Sequence, residues 1–248
     1  MGMKSIWQDS FVVRSFLVDA DRRLSLFGLL SLLQEAAWLH ASELGHGFQQ
    51  TRDSGGSWVL ARQRLEMERW PEWGQTCSIK TWLRPPGAVL VTRDFEISVG
   101  DQVWGRACAH WLTIDHVSRR PIPLPFPDDP TIFRQDYRLE IDPEKVACPA
   151  AAATLKSFEV CRSDLDMNGH VNNTRFSQWV LDSLPEELCE KRRLLEYQVN
   201  FQAEVVLGEV VEIQGAERAI EDGLSRIDVQ GKRTSDDRSF FSARLKFG

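Results

Sequence analysis

The sequence predicts an α+β protein made of two tandem modules, each with an antiparallel sheet around a long central helix. The same order of elements occurs twice, about 120 residues apart: a short strand, a helix and then several strands. Arg14-Ser15 and Arg162-Ser163 hold matching places before the two helices. Gly74 and Gly208 hold matching places before a strand. Identity between the halves is slight, so the repeated element order is the main basis for this prediction.

In the first module, residues 1–116, a short apolar segment is followed by apolar residues at the spacing of an amphipathic helix. Leucine or alanine falls at i, i+3, i+4, i+7 and i+11, and the residues are Leu26, Leu29, Leu30, Leu33 and Ala37. Ser25 is a candidate N-cap, and Gly45 or Gly47 a candidate stop. The period then drops to two, which is typical of strands, in the residues Ile79, Thr81 and Leu83, then Phe95, Ile97 and Val99, then Ala107, Ala109 and Trp111.

Prolines mark the middle of the chain. Seven of the eleven lie between Pro121 and Pro149, so residues 117–154 are predicted to be a linker. Residues 155–248 form the second predicted module. In it, Asn172 or Asn173 is expected to cap a helix that Pro185 ends, with an apolar face of Phe176, Trp179 and Val180. Strand patterns follow at 197–205, 210–213, 227–229 and 241–247.

Composition excludes several classes of protein. The 248 residues are 42% hydrophobic and 27% charged, as in globular proteins, and 30 basic against 36 acidic residues leave a net charge of −6. This mild acidity argues against a nucleic-acid partner or an anionic membrane surface. The apolar stretch from Leu24 to Leu39 contains polar residues and falls short of the ~18 residues of a membrane span.

The predicted location is cytoplasmic. The amino terminus has no apolar signal core. Five scattered cysteines never form C-x-x-C, which disfavours a disulfide framework or a zinc site.

The densest polar cluster is the segment 164–173. Its opening resembles a calcium loop, but Arg175 stands at position twelve, where calcium needs a carboxylate, and no second His or Cys has metal-ligand spacing. We therefore expect no metal and no cofactor. Motifs for a serine nucleophile elbow, a P-loop or a Rossmann fold are absent from the sequence.

Two interpretations of this cluster remain. Asp, Asn and Gly are typical of a structural turn before a helix. Alternatively, an acid, an amide and a histidine at i, i+2 and i+4 lie just before a helix N-terminus, where free N–H groups can stabilise an oxyanion.

The segment also resembles a known family. Asp164-Leu165-Asp166-Met167-Asn168-Gly169-His170-Val171-Asn172-Asn173 is similar to the motif D-L-D-x-N-x-H-V-N-N of acyl-acyl carrier protein thioesterases of the plant plastid type and their bacterial relatives. The first half carries further similar segments: Arg14-Ser15, Leu33-Gln34-Glu35-Ala36-Ala37, Trp58-Val59, Trp70-Pro71-Glu72-Trp73-Gly74 and Arg119-Arg120-Pro121. The resemblance implies a double hotdog fold, with an acyl pocket in the first module and the catalytic groups in the second. It also implies hydrolysis of the thioester that joins a fatty acyl chain to acyl carrier protein.

Matched to the motif, the implied catalytic residues are Asp166, Asn168 and His170. The family's glutamate, in a pattern like Y-R-R-E-C, corresponds to Glu204, and its cysteine is replaced by Val205. A covalent cysteine mechanism is therefore excluded at this site. Either Glu204 or His170 is expected to activate water, with Asn168 and Asp166 positioning the reacting groups.

The expected surroundings of Glu204 raise a difficulty. Strand alternation places Glu204 on the face that carries Gln198, Asn200 and Gln202, and such a face is usually solvated. Two alternatives would change this: the face meets the other half of the protein, or a bulge changes the alternation.

The expected partner is acyl carrier protein carrying a fatty acyl chain. The basic runs Lys191-Arg192-Arg193 and Arg119-Arg120 can attract an acidic carrier, although ordinary solvated charge is the favoured interpretation. An acyl-CoA thioesterase and a non-catalytic acyl-binding module are the alternatives. The oligomeric state is open, because two fused modules complete a dimer-like unit but sheet edges can also pair in a homodimer.

Overall fold

The computed structural model describes residues 5–87, 90–123, 129–147, 152–219 and 223–248. The chain divides into two compact units, Met1–Pro143 and Glu144–Gly248. This division lies inside the predicted linker 117–154, whose Pro125, Pro127 and Pro149 are outside the described residues. The limits 1–116 and 155–248 stay a prediction.

The first unit is one antiparallel sheet with a long helix. Its elements are β1 (Ile6–Val12), α1 (Leu26–Glu43), α2 (Phe48–Asp53), β2 (Gly56–Met67), β3 (Thr76–Leu83), β4 (Leu90–Val99), β5 (Gln102–Asp115) and β6 (Pro121–Ile122). The strands lie in the order β1-β3-β4-β5-β2, and β6 also pairs with β5.

Helix α1 begins and ends as the sequence predicts. The Ser25 side chain accepts a hydrogen bond from the Gly28 N–H at 3.0 Å, which caps the helix. Gly45 has a φ of +76°, a left-handed conformation that ends helices and that glycine adopts without strain. The predicted apolar face, from Leu26 to Ala37, is buried, and α1 packs on β1 and β3.

A buried ion pair joins the first sheet to the segment that follows it. Arg84, just after β3, donates from Nε and Nη2 to the two oxygens of the fully buried Asp94 carboxylate, both at 2.8 Å. Its Nη1 donates to Asp142 at 2.7 Å, and Nη2 donates to the carbonyls of Leu139 and Ile141 at 3.0 and 2.9 Å. Arg84 therefore holds residues 139–142 against the sheet.

We expect Arg84→Met to lower the free energy of unfolding by about 3 kcal/mol, because it leaves the Asp94 carboxylate buried without a cation. Arg106→Met is the control, since the Arg106–Glu68 pair is 3.6 Å apart and largely exposed. Its expected effect is below about 1 kcal/mol. Chemical denaturation measures both, and equal losses would contradict the role given to Arg84.

The second unit repeats the architecture. Its elements are β7 (Ala153–Glu159), α3 (Arg175–Leu181), α4 (Glu186–Lys191), β8 (Leu194–Phe201), β9 (Val210–Ala219), β10 (Ser225–Arg233) and β11 (Ser239–Phe247). The antiparallel order β8-β11-β10-β9-β7 matches β2-β5-β4-β3-β1 of the first unit, element by element.

The helix of the second unit is shorter than expected. α3 has seven residues, and its N-cap is Thr174 instead of Asn172 or Asn173. The Asn172 Oδ1 accepts from the N–H and the hydroxyl of Thr174, so Asn172 caps the turn that precedes the helix. Pro185 has no N–H to continue the ladder and becomes the N-cap of α4. The predicted apolar residues Phe176, Trp179 and Val180 are buried.

The face of β8 that alternation predicts to be solvated is covered at two positions. Gln198 and Asn200 are buried, and their side-chain amides donate to the Glu144 carbonyl at 3.0 and 3.1 Å. Asn200 also accepts from the N–H of Val146. The prediction of a solvated face is therefore wrong for Gln198 and Asn200, because residues 144–146 cover this face.

Across the described residues, the structure has no helix that combines the length and the apolar character needed to cross a bilayer.

Candidate functional site

The polar cluster of the second unit forms a closed loop. Leu165 and Val171 face each other in a short antiparallel bridge, and the Asp166 N–H donates to the His170 carbonyl at 2.8 Å. At the tip, the Gly169 N–H donates to the Asp166 carbonyl at 3.1 Å, and Gly169 has a φ of +79°. Asn168 and His170 are therefore held on a tight turn.

The Asp166 carboxylate lies inside this turn and accepts three hydrogen bonds. Its Oδ1 accepts from the N–H groups of Asn168 at 2.8 Å and His170 at 3.3 Å. Its Oδ2 accepts from the side-chain amide of Asn168 at 3.4 Å. One carboxylate thus orients the backbone under the histidine and the side chain of the asparagine.

Glu204 lies beyond the end of β8, not on a continuing strand. The N–H groups of Gln202 and Ala203 both donate to the Phe240 carbonyl, at 2.9 and 3.2 Å. Two residues opposite one carbonyl form a bulge, which breaks the alternation of side chains. The placement of Glu204 on the face of Gln198 is therefore wrong, and the bulge alternative is confirmed.

After the bulge, the chain turns toward the polar loop. The Val171 N–H donates to the Val205 carbonyl at 2.9 Å, and His170 forms a bridge with Val206. The Nε2 of His170 lies 3.4 Å from Oε2 of Glu204, with 31% of the histidine side chain and 45% of the glutamate side chain exposed. A histidine and a carboxylate thus meet in reach of water, while Val205 is fully buried.

The helix N-terminus contributes fewer free donors than the sequence suggests. The N–H groups of Asn172, Thr174 and Arg175 already donate, to the Asp164 carbonyl, Asn172 Oδ1 and the Asn172 carbonyl. These three are not available for an oxyanion. The Asn168 amide nitrogen has two hydrogens and gives one to Asp166, so its second hydrogen is the better donor for a substrate oxygen.

The first unit contains the same loop with different side chains. Asp19 Oδ1 accepts from the N–H groups of Asp21 and Arg23 at 3.0 and 3.1 Å, as Asp166 does from Asn168 and His170. Arg22 has a φ of +61°, where Gly169 has +79°. The positions of Asn168 and His170 are thus held by Asp21 and Arg23.

The bulge is repeated as well. The N–H groups of Glu68 and Arg69 both donate to the Trp104 carbonyl, and the Leu24 N–H donates to the Pro71 carbonyl at 2.7 Å. Trp70 thereby corresponds to Glu204, and Pro71 to Val205. Extending the match of Gly74 with Gly208 backward by three residues places Pro71 opposite Val205. Proline has no N–H to donate to the hydrogen-bond ladder of a sheet. Pro71 at the position of Val205 is therefore the signal in the sequence that the neighbouring Glu204 lies beyond the regular strand.

Among the described residues, metal binding is disfavoured at the two clusters that suggest it. In the calcium-like loop, the Arg175 guanidinium lies 3.9 Å from Asp164 and donates to the Ser163 carbonyl at 2.7 Å. In the first unit, Cys108, His110 and Asp142 bring ligand-type atoms within 4.8 Å of one another. There, Arg84 donates to Asp142, and burial raises the pKa of the Cys108 thiol, which opposes the thiolate that metals bind.

Comparison with known proteins decides the family. Residues 4–129 match the acyl-ACP thioesterase N-terminal domain, and residues 148–243 match the acyl-ACP thioesterase C-terminal domain. The chain belongs to the acyl-ACP thioesterase family. The resemblance read from the segment 164–173 is therefore confirmed.

Curated members of the acyl-ACP thioesterase family match most of this chain. Oleoyl-acyl carrier protein thioesterase 1, chloroplastic, of Arabidopsis thaliana is 30% identical over 226 residues, which are 83% of this chain and 62% of that protein. A chloroplastic acyl-[acyl-carrier-protein] hydrolase of Cuphea viscosissima is 29% identical over 242 residues, 86% of this chain and 56% of its own length. The chain thus spans less than two thirds of these relatives.

Solved structures establish the fold. A crystal structure of an acyl-ACP thioesterase from Bacteroides thetaiotaomicron has a TM-score of 0.89 at 24% identity, covering 98% of both chains. The 12:0-ACP thioesterase from Umbellularia californica has a TM-score of 0.82 at 21% identity, covering 98% of this chain and 94% of that one. The predicted double hotdog fold is confirmed.

The repeated loop allows a matched test of Asp166. We expect Asp166→Ala and Asp19→Ala to lower the free energy of unfolding by similar amounts, about 1 kcal/mol each, because each removes two hydrogen bonds to backbone N–H groups. Chemical denaturation measures this.

The imidazole NMR signals of His170 can be assigned because they are lost in His170→Ala. We expect Asp166→Ala to shift these signals and Asp19→Ala to leave them unchanged. A shift of the same size in Asp19→Ala would show that Asp166 has no special effect on His170.

Proposed function

We propose that this chain is an acyl-acyl carrier protein thioesterase that hydrolyses the thioester of a fatty acyl chain and releases the free fatty acid. The observation that carries the proposal is the meeting of His170 and Glu204, 3.4 Å apart, with Asn168 on the same turn as His170. Thioester hydrolysis needs a base for a water molecule and a donor for the carbonyl oxygen, and this arrangement supplies both. Family membership supports the choice of substrate.

In the proposed reaction, the His170–Glu204 pair takes a proton from water as the water oxygen attacks the thioester carbonyl carbon. The carbon–sulfur bond then breaks, and the proton passes to the leaving sulfur, so that a carboxylic acid and a thiol are formed. The second amide hydrogen of Asn168 stabilises the negative charge on the carbonyl oxygen or holds the water. Asp166 orients Asn168 and His170 through its three hydrogen bonds.

A water nucleophile is consistent with the side chains present. Val205 stands where the family pattern has cysteine, and its side chain has no nucleophilic atom and is fully buried. The proposal therefore has no acyl-enzyme step at this position.

Glu204→Gln and His170→Ala should each lower kcat for an acyl carrier protein thioester at least about 100-fold, because each removes one member of the proton-accepting pair. Steady-state kinetics measures this, with circular dichroism to show that the variants are folded. Arg23→Ala is the matched control, since Arg23 holds the position of His170 in the first unit, and it should keep near wild-type kcat. Near wild-type rates in both Glu204→Gln and His170→Ala would refute the assignment.

The carrier can be tested with matched substrates. With the same acyl chain, we expect kcat/KM for acyl carrier protein to exceed that for coenzyme A at least about 10-fold. A protein carrier offers a larger surface for recognition than a nucleotide does. The reverse preference would make the chain an acyl-CoA thioesterase, and tight acyl binding without turnover would make it a binding module. A series of chain lengths in the same assay defines the acyl specificity.

The basic run Lys191-Arg192-Arg193 has little support as a carrier-docking surface. The Arg192 guanidinium donates to the Gly223 carbonyl at 3.1 Å and to the Ser225 hydroxyl, so it has a role inside the second unit. The side chain of Lys191 is outside the described residues. Cytoplasmic location and a homodimer also stay predictions; the named plant relatives are chloroplastic.

A further inference from the structure

We infer that Arg233 is a positioning residue that holds the backbone of Glu204 so that its carboxylate stays beside His170. This inference rests on the proposed function, in which the His170–Glu204 pair accepts the proton of water. It assigns to Arg233 no contact with substrate, only control of the turn that carries the acid.

Arg233, the last residue of β10, contacts the segment on both sides of Val205. Its Nη1 donates to the Glu204 carbonyl at 3.4 Å and lies 3.9 Å from Oε1 of Glu209. The other oxygen of Glu209 accepts from the Val206 N–H at 2.8 Å. One guanidinium group is thus linked to the backbone of Glu204 directly and to that of Val206 through a carboxylate.

The guanidinium group is itself fixed in place. Its Nε and Nη2 donate to the two oxygens of Asp236 at 3.2 and 2.7 Å, within the turn between β10 and β11. A bidentate contact of this kind sets the plane of the guanidinium as well as its position. With 17% of the Arg233 side chain exposed, the contact is partly shielded from water. Arg233 therefore offers a defined support for the Glu204 carbonyl.

The first unit shows that the turn forms without an arginine. There, the Glu72 N–H donates to Oε1 of Gln75 at 2.8 Å, just as the Val206 N–H donates to Glu209. Val99 pairs with Cys77 in the first sheet at the position where Arg233 pairs with Val211 in the second. A neutral amide therefore suffices to cap the turn, and an arginine stands at this position in the unit that carries Glu204.

The proposed reaction needs the Glu204 carboxylate to be held beside His170, and the turn alone does not guarantee this. His170 and Glu204 lie on separate segments, and 45% of the glutamate side chain is exposed, so water competes for the carboxylate. Because proton transfer needs the partners within hydrogen-bond reach, a small shift of the Glu204 backbone reduces the fraction of productive pairs. Loss of Arg233 should therefore lower kcat and leave substrate binding nearly unchanged.

The first test is Arg233→Gln, assayed with an acyl carrier protein thioester. We expect kcat to fall about 10-fold and KM to change less than about 2-fold. Lys232→Gln is the matched control, because Lys232 precedes Arg233 and pairs with Asp237 at 2.9 Å in the same turn. It should keep wild-type kcat. Equal kcat in Arg233→Gln and the wild type would overturn the inference.

A double variant tests whether Arg233 acts through Glu204. If it does, adding Arg233→Gln to Glu204→Gln should cause no further loss of kcat, since the carboxylate being positioned is already absent. A further 10-fold loss in the double variant would overturn the inference. If Arg233→Gln does not fold, the same two measurements are made with Arg233→Lys. This variant keeps the positive charge but lacks the planar guanidinium group.

These results separate this inference from the proposed function. An inactive Glu204→Gln together with a fully active Arg233→Gln would overturn the role of Arg233 and leave the function standing. A fully active Glu204→Gln would overturn the role of Arg233, and near wild-type rates in both Glu204→Gln and His170→Ala would overturn the function assigned to the pair as well.

Discussion

The candidate site depends on the carboxylate of Asp166. Its two oxygens accept from the backbone N–H groups of Asn168 and His170 and from the Asn168 amide, so one side chain closes the loop and orients two others. Without this carboxylate, the N–H groups of Asn168 and His170 would lose the acceptor that they share. The sequence suggested two interpretations of the cluster, a structural turn or a reactive site. The structure shows the turn, and this turn holds the candidate residues Asn168 and His170.

The two units share the same backbone features but differ in the side chains that these features carry. Both units have the aspartate-centred loop, a bulge after β2 or β8, and the capped turn that follows this bulge. In the first unit, these backbone features present Arg23 and Trp70; in the second, they present His170 and Glu204. The backbone frame therefore does not require the candidate side chains His170 and Glu204.

Much of the fold could be predicted from the sequence because it depends on local signals. Period and capping located α1 from its Ser25 cap to Gly45, and the repeated element order indicated two similar units. The prediction was less accurate where contacts distant in sequence decide the outcome. Residues 144–146 bury Gln198 and Asn200, which alternation alone would leave in water.

The residue pattern was enough to identify the family, the duplicated α+β fold and the candidates Asp166, Asn168, His170 and Glu204. The contact between Glu204 and His170 is visible only in the folded chain. A residue's identity and its motif are local properties of the chain. Its neighbour across the fold depends on a bulge, since two N–H groups that share the Phe240 carbonyl shift the alternation and turn the chain toward the loop.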